Sequence, residues 1–244
     1  MRVVVAHARA GTLELLRYPA YSLSTLLFPT LLFLLFAPRS MQEGQTAELA
    51  LVGFAAMAVL AVAFFQFGVG IAAERNSPWE AYVRTLPVTM RARLAARVLS
   101  ALLFAVCSCT LVVVVAIVVT PASLSATQLA LLASMLLAGA IPLCLLGIAL
   151  GYLVPPRAAL PVANILFLPV SFLGGLWGGP QHLPAALDRI SVLLPTRQWG
   201  ELMWASIGAR PWQGRAALAL AAYAVVFALG GAWAYRRDEG ERFT

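Results

Sequence analysis

Between Arg97 and Arg157 the chain runs 59 residues, 98–156, without a formal charge. A bilayer core of roughly 30 Å is crossed by about 20 apolar residues in a helix, so this run is too long for one span and long enough for two. The break falls at Thr120-Pro121-Ala122-Ser123-Leu124-Ser125-Ala126-Thr127-Gln128, whose proline and hydroxyls mark a turn. Further uncharged runs lie at 18–38, 49–73, about 158–177 and 216–235. The expectation is an all-α membrane protein forming a single transmembrane domain over 1–244. Its six spans fall at about 18–38, 49–73, 98–119, 129–153, 158–177 and 216–235.

Composition agrees. The chain is 61% hydrophobic and 11% charged, with mean hydropathy +0.87, outside the range of water-soluble domains. The net charge of +7 fits inner loops meeting anionic headgroups better than nucleic acid. All basic residues are arginine, and there is no lysine. With both termini in the cytoplasm, twelve arginines fall inside and five outside, in accord with the positive-inside rule. Residues 1–17 read as an amphipathic helix on the cytoplasmic surface, broken or loosened at Gly11. No cleaved signal is indicated, because the apolar run after Arg17 is too long for one. Pro29 suggests a kink in the first span.

The external stretch 178–215 is not featureless. Leu183, Leu187, Ile190 and Leu194 share a helical face that Pro195 should end, and Thr196 reads as the N-cap of a second helix carrying Trp199, Leu202, Met203 and Trp204. With Trp177 and Trp212, these tryptophans suit the outer interface. The expectation is a helical hairpin resting on the outer leaflet or dipping into it.

The inner stretch 74–87 is an island of charge between the second and third spans. Ser77 and Glu80 have capping-box spacing, Pro78 sits at the first helical position, and Pro87 stops the helix. Trp79, Tyr82, Val83 and Leu86 fall on one face, while Glu80 and Arg84 form an i, i+4 pair. This is a rigid peg roughly 13 Å long, and its bland alternative is an ordinary interfacial loop helix.

Several chemistries are missing. A P-loop needs a lysine to reach the phosphates, and there is none. His7 and His182 fall on opposite sides of the expected bilayer, which leaves His182 with Asp188 as the one acid–base pairing near in sequence. Cys107, Cys109 and Cys144 have no neighbouring ligands and read as small buried hydrophobes. The expected spans contain no Asp, Glu, Lys, Arg or His, against the intramembrane charges of coupled carriers and channels. Weakly polar groups remain, among them Gln66 flanked by Phe64, Phe65 and Phe67, and Asn164. Such groups hydrogen-bond between helices or line a path for amphipathic cargo. Gly147-x-x-x-Gly151, Gly174-x-x-x-Gly178 and Gly175-x-x-x-Gly179 are read as close-packing motifs near the ends of the fourth and fifth spans.

Taken together, the chain resembles the membrane subunit, or permease, of type-2 ABC transporters, mostly exporters. The likeness rests on the Arg-rich opening into Leu-Leu-Arg-Tyr-Pro-Ala and the run Thr-Leu-Leu-Phe-Pro-Thr-Leu-Leu-Phe-Leu-Leu-Phe. It also rests on the segment from Glu74-Arg75 through Arg84-Thr85-Leu86-Pro87-Val88 and on Leu193-Leu194-Pro195-Thr196-Arg197. The resemblance implies a half-transporter in a bacterial cytoplasmic membrane, pairing with a second copy or a related permease and with a separately encoded cytosolic ABC ATPase. ATP and magnesium would sit on that ATPase, and this chain would bind no cofactor or metal and catalyse nothing. It also implies that the peg is a coupling helix. Trp79, Tyr82, Val83 and Leu86 would dock, Ser77 and Pro78 would cap, and Arg75, Glu80 and Arg84 would contact the ATPase. Gln66, Phe67 and Asn164 would line the substrate path. The implied cargo is hydrophobic or amphipathic: a drug, natural product or lipid. Alternatives are polysaccharide or glycolipid export, and a non-transporting scaffold for the ATPase. From other classes come a self-powered carrier and a membrane hydrolase using His182 and Asp188.

Overall fold

In the computed structural model, residues 2–17, 19–36, 44–75, 77, 90–179 and 183–242 are described. Every regular element among them is helical: α1 (Arg2–Arg17), α2 (Pro19–Phe36), α3 (Gly44–Glu74), α4 (Met90–Val119), α5 (Ala126–Leu153), α6 (Pro156–Leu173), α7 (Ala185–Ser191), α8 (Pro195–Ser206) and α9 (Gly214–Arg242). Among the described residues, α3, α4, α5, α6 and α9 contain stretches long and apolar enough to cross a membrane. A sixth, shorter apolar stretch, Thr25–Phe36, lies in α2.

The organising element is α3, which is apolar on all sides. A helix of that kind must be surrounded, and 89% of its apolar window is buried. It packs against α2, α4, α5, α6 and α8. The other long helices keep one side inward and expose apolar side chains such as Val118, Ile165 and Leu218 on the other.

Over Val62–Val69 the helix α3 widens into a π-helix before returning to α geometry over Gly70–Glu74. The wide turn meets the glycines of α5. A Cβ on Gly147 would lie 2.0 Å from the Ala63 carbonyl oxygen, and one on Gly151 would lie 3.0 Å from that of Gly68. Gly147-x-x-x-Gly151 therefore packs within the chain, where its missing side chains leave room for the enlarged turn.

Four sequence expectations change. The first helix runs unbroken through Gly11. There the Ser100 hydroxyl donates to the Ala8 carbonyl at 3.0 Å and accepts from Thr12 Oγ1 at 3.1 Å, fastening α1 to α4. The helix expected as the fifth span ends at Leu173, and Gly174-Gly175 and Gly178-Gly179 lie in the turn beyond it, where Gly174 still marks a close approach: a Cβ there would lie 2.5 Å from Thr196 Oγ1. Gly175, Gly178 and Gly179 have φ of 76°, 153° and 93°, a region open to glycine.

Third, Pro195 opens α8 instead of ending a helix. It stands at the first helical position, where its missing N–H is no loss. Thr196 is then inside the helix and donates to the Val170 carbonyl at 2.9 Å, so it is not a cap. Fourth, α8 is not a surface helix of this chain. It is inserted among α5, α6 and α9, with Trp199 and Trp204 fully buried. The Trp199 indole donates to the Met135 carbonyl at 2.8 Å and lies over Gly139. Trp212 remains exposed, while half-buried Trp177 meets Phe36 at 5.0 Å and Phe54 at 6.3 Å.

Candidate functional site

The two stems of the 76–89 connection leave the bundle at one end. The first stem finishes with Glu74 and Arg75, and each side chain reaches a different helix. Glu74 forms an ion pair with Arg97 of α4, closing the base of the connection. Arg75 turns toward α5 and α9. Its Nη1 donates to the Tyr152 carbonyl and pairs with Asp238 Oδ1 at 3.0 Å, and its Nη2 donates to the Val154 carbonyl at 3.0 Å. The last carbonyls of a helix have no partner within it, and they carry the negative end of its dipole. Arg75 satisfies two carbonyls at the α5 terminus with one planar fork, a geometry an ammonium lacks. Its side chain is 12% exposed and that of Asp238 13%.

By the family resemblance Arg75 would contact the ATPase. The structure directs its guanidinium into the chain. Ser77 is half-buried, with its N–H donating to the Glu74 carbonyl at 2.8 Å. Pro78, Trp79, Glu80, Tyr82, Val83, Arg84 and Leu86 lie outside the described residues.

The three expected path residues are not alike. Gln66 sits in the π-helix at 6% exposure, and Phe67 is fully buried beside it. Gln66 Oε1 has no hydrogen-bond partner. Asn164 is exposed on α6. Between these helices the Phe64 and Phe65 rings pack on Phe167 at 6.3 and 5.5 Å. A narrow gap of about 10 Å³ lies beside Phe64 and Gly68, and none of the three expected residues lines it. In this conformation Gln66 and Phe67 belong to the core.

A second polar cluster occupies the other end. Glu201 of α8 accepts from Arg197 Nε at 3.0 Å, from Arg210 Nη1 at 3.1 and 3.2 Å, and from Gln213 Nε2 at 3.3 Å. Arg197 also pairs with Asp188 at 3.2 Å and lies 5.3 Å over the Trp204 ring. Both Arg197 and Glu201 are buried, and a cleft of about 240 Å³ opens beside them. The i, i+4 spacing of Arg197 and Glu201 was legible as a helix pair, but its burial was not. Asp188 is held in this ion cluster, and His182 is outside the described residues. Among the described residues no group of histidine, cysteine and carboxylate side chains could hold a metal. Cys107 is exposed instead of buried, whereas Cys109 and Cys144 are half-buried, with Cys109 Sγ 3.2 Å from the Ala55 carbonyl.

Comparison with known proteins adds two findings. The family model described as ABC-2 type transporter matches residues 3–207. A Bacillus subtilis (strain 168) protein named "Putative transport permease YvfS" is 24% identical over 191 residues, 78% of this chain and 77% of that protein. No solved structure matches.

Proposed function

The chain belongs to the ABC-2 type transporter family, a family of membrane transport components, and from that premise we infer that it is the permease half of an ATP-driven exporter. Two copies, each crossing the membrane six times with both ends inside, enclose the path. A separate ATPase subunit supplies the work through the 76–89 connection. The cargo is hydrophobic or amphipathic, and Asn164 on the exposed side of α6 is the polar contact closest to it.

The observation that carries this reading is the family match on a chain whose candidate membrane spans carry charged side chains only near their ends. Such an interior offers no relay for protons or ions, so the driving force must come from another subunit. Trp79 and Glu80, which the family resemblance assigns to contact with the ATPase, are the residues to change. In inverted vesicles containing the ATPase subunit and a lipophilic dye, Trp79→Ala or Glu80→Ala should separate ATP hydrolysis from dye movement while leaving membrane insertion intact. Normal coupling in both variants removes the segment from the mechanism.

A further inference from the structure

The connection 76–89 joins α3 to α4 covalently, so any push on it reaches those two helices directly. It has no covalent link to α5 or α9. Arg75 supplies a non-covalent one, because a single guanidinium at the foot of the connection holds the Tyr152 and Val154 carbonyls ending α5 and the Asp238 carboxylate on α9. We propose that Arg75 is a positioning residue that carries movement of the 76–89 connection into α5 and α9, so that three helix ends shift together when the connection is displaced. This rests on the reading of the connection as the place where the ATPase subunit acts.

Three features make the link stiff. The Arg75–Asp238 pair is largely withdrawn from water, where screening is weak. The fork fixes the guanidinium in orientation as well as position, since two of its nitrogens bond separate acceptors. The third is the Glu74–Arg97 pair, which ties the two stems together and lets the foot of the connection move as a unit. Glu74 is 55% exposed, so this pair is the more salt-sensitive of the two. The sequence offered half of this: the adjacent Glu and Arg were visible, but their partners stand 23 and 163 residues away.

The test uses pulsed electron-spin distance measurements on the permease assembled with its ATP-hydrolysing subunit in nanodiscs, with one labelled copy per dimer and the three native cysteines replaced. One label pair, Arg236→Cys with Ser123→Cys, reports α9 against the far end of α4. A second pair, Ala95→Cys with Trp212→Cys, reports α4 against the far end of α9. In the otherwise wild-type chain both distances should shift between the ADP and ATP–vanadate states. With Asp238→Asn the first shift should vanish while the second persists, and Asp238→Glu should restore the first. Should Asp238→Asn fail to reach the membrane, Arg75→Lys keeps the charge but loses the fork, and the same selective loss is expected. Persistence of both shifts in these variants overturns the proposal, as does equal loss of both, which marks a general structural role. A wild-type chain that assembles with no ATPase subunit, or whose two distances ignore nucleotide, overturns the functional reading itself.

Discussion

Gly147 shows how much can depend on the absence of one methyl group. Its Cα faces the Ala63 carbonyl so closely that a Cβ would sit 2.0 Å from that oxygen, and the obstacle is backbone, which cannot rotate aside. Overpacking of this kind destabilises by about 1–3 kcal/mol, and here it opposes the roughly 0.5–1 kcal/mol that alanine gains over glycine inside a helix. Gly147→Ala should therefore lower the thermal midpoint in detergent. Gly230→Ala, with nothing within 4 Å of the new atom, should leave it unchanged or raise it. Equal midpoints would show that α3 and α5 are not in contact here. The residues themselves were legible in part. The Gly-x-x-x-Gly spacing announced a close approach without saying to what. Arg75 announced a charge at the membrane edge, but its partners come from remote parts of the chain, and no local pattern encodes them. Asp238 was visible only as one charge in a charged tail.

At the scale of elements, the least predictable feature is the π-helix in α3. Amphipathic periodicity locates a helix by contrast between two sides, and α3 has no polar side, so a change in residues per turn leaves no trace in its pattern. A π segment holds an extra residue that the flanking α-helices accommodate without losing their packing. Deleting Val69 should let the segment tighten to α geometry while the helices on either side keep their register, so that the chain still inserts, with a thermal midpoint lowered by the gap left against Gly147 and Gly151. Deleting Val59, inside the α portion, rotates everything beyond it by about 100°. This turns the buried side of α3 outward and should abolish stable insertion. If the two deletions behave alike, the π segment is not a local insertion. The elements between α6 and α9 differ from expectation for another reason. A proline behind an apolar run reads as a stop, but the same ring is favourable at the first position of a helix, where Pro195 stands. Burial of α8 follows from its neighbours, not from its own composition, which is nearly balanced between apolar and polar.

For the molecule as a whole, the sequence conveyed the helical class and the membrane setting, because transfer of charge into hydrocarbon is too unfavourable to leave ambiguity. It was less informative about which helix is central, since every span is apolar and centrality is decided by packing. Orientation is open to a direct test by impermeant maleimide on intact cells in a background lacking the three cysteines. Cysteines introduced at the exposed positions Ser123 and Trp212 should react from outside. One at Arg157, exposed in the first turn of α6, should react only after the membrane is opened. The reverse pattern would invert the topology and place the 76–89 connection beyond reach of any cytosolic subunit. The fit of the swollen turn of α3 into the bare flank of α5 carries one more consequence. Neither helix can be exchanged alone: a chimera that takes α3 from a distant permease should assemble only if α5 comes from the same donor, because bulk added on one must be matched by bulk missing on the other.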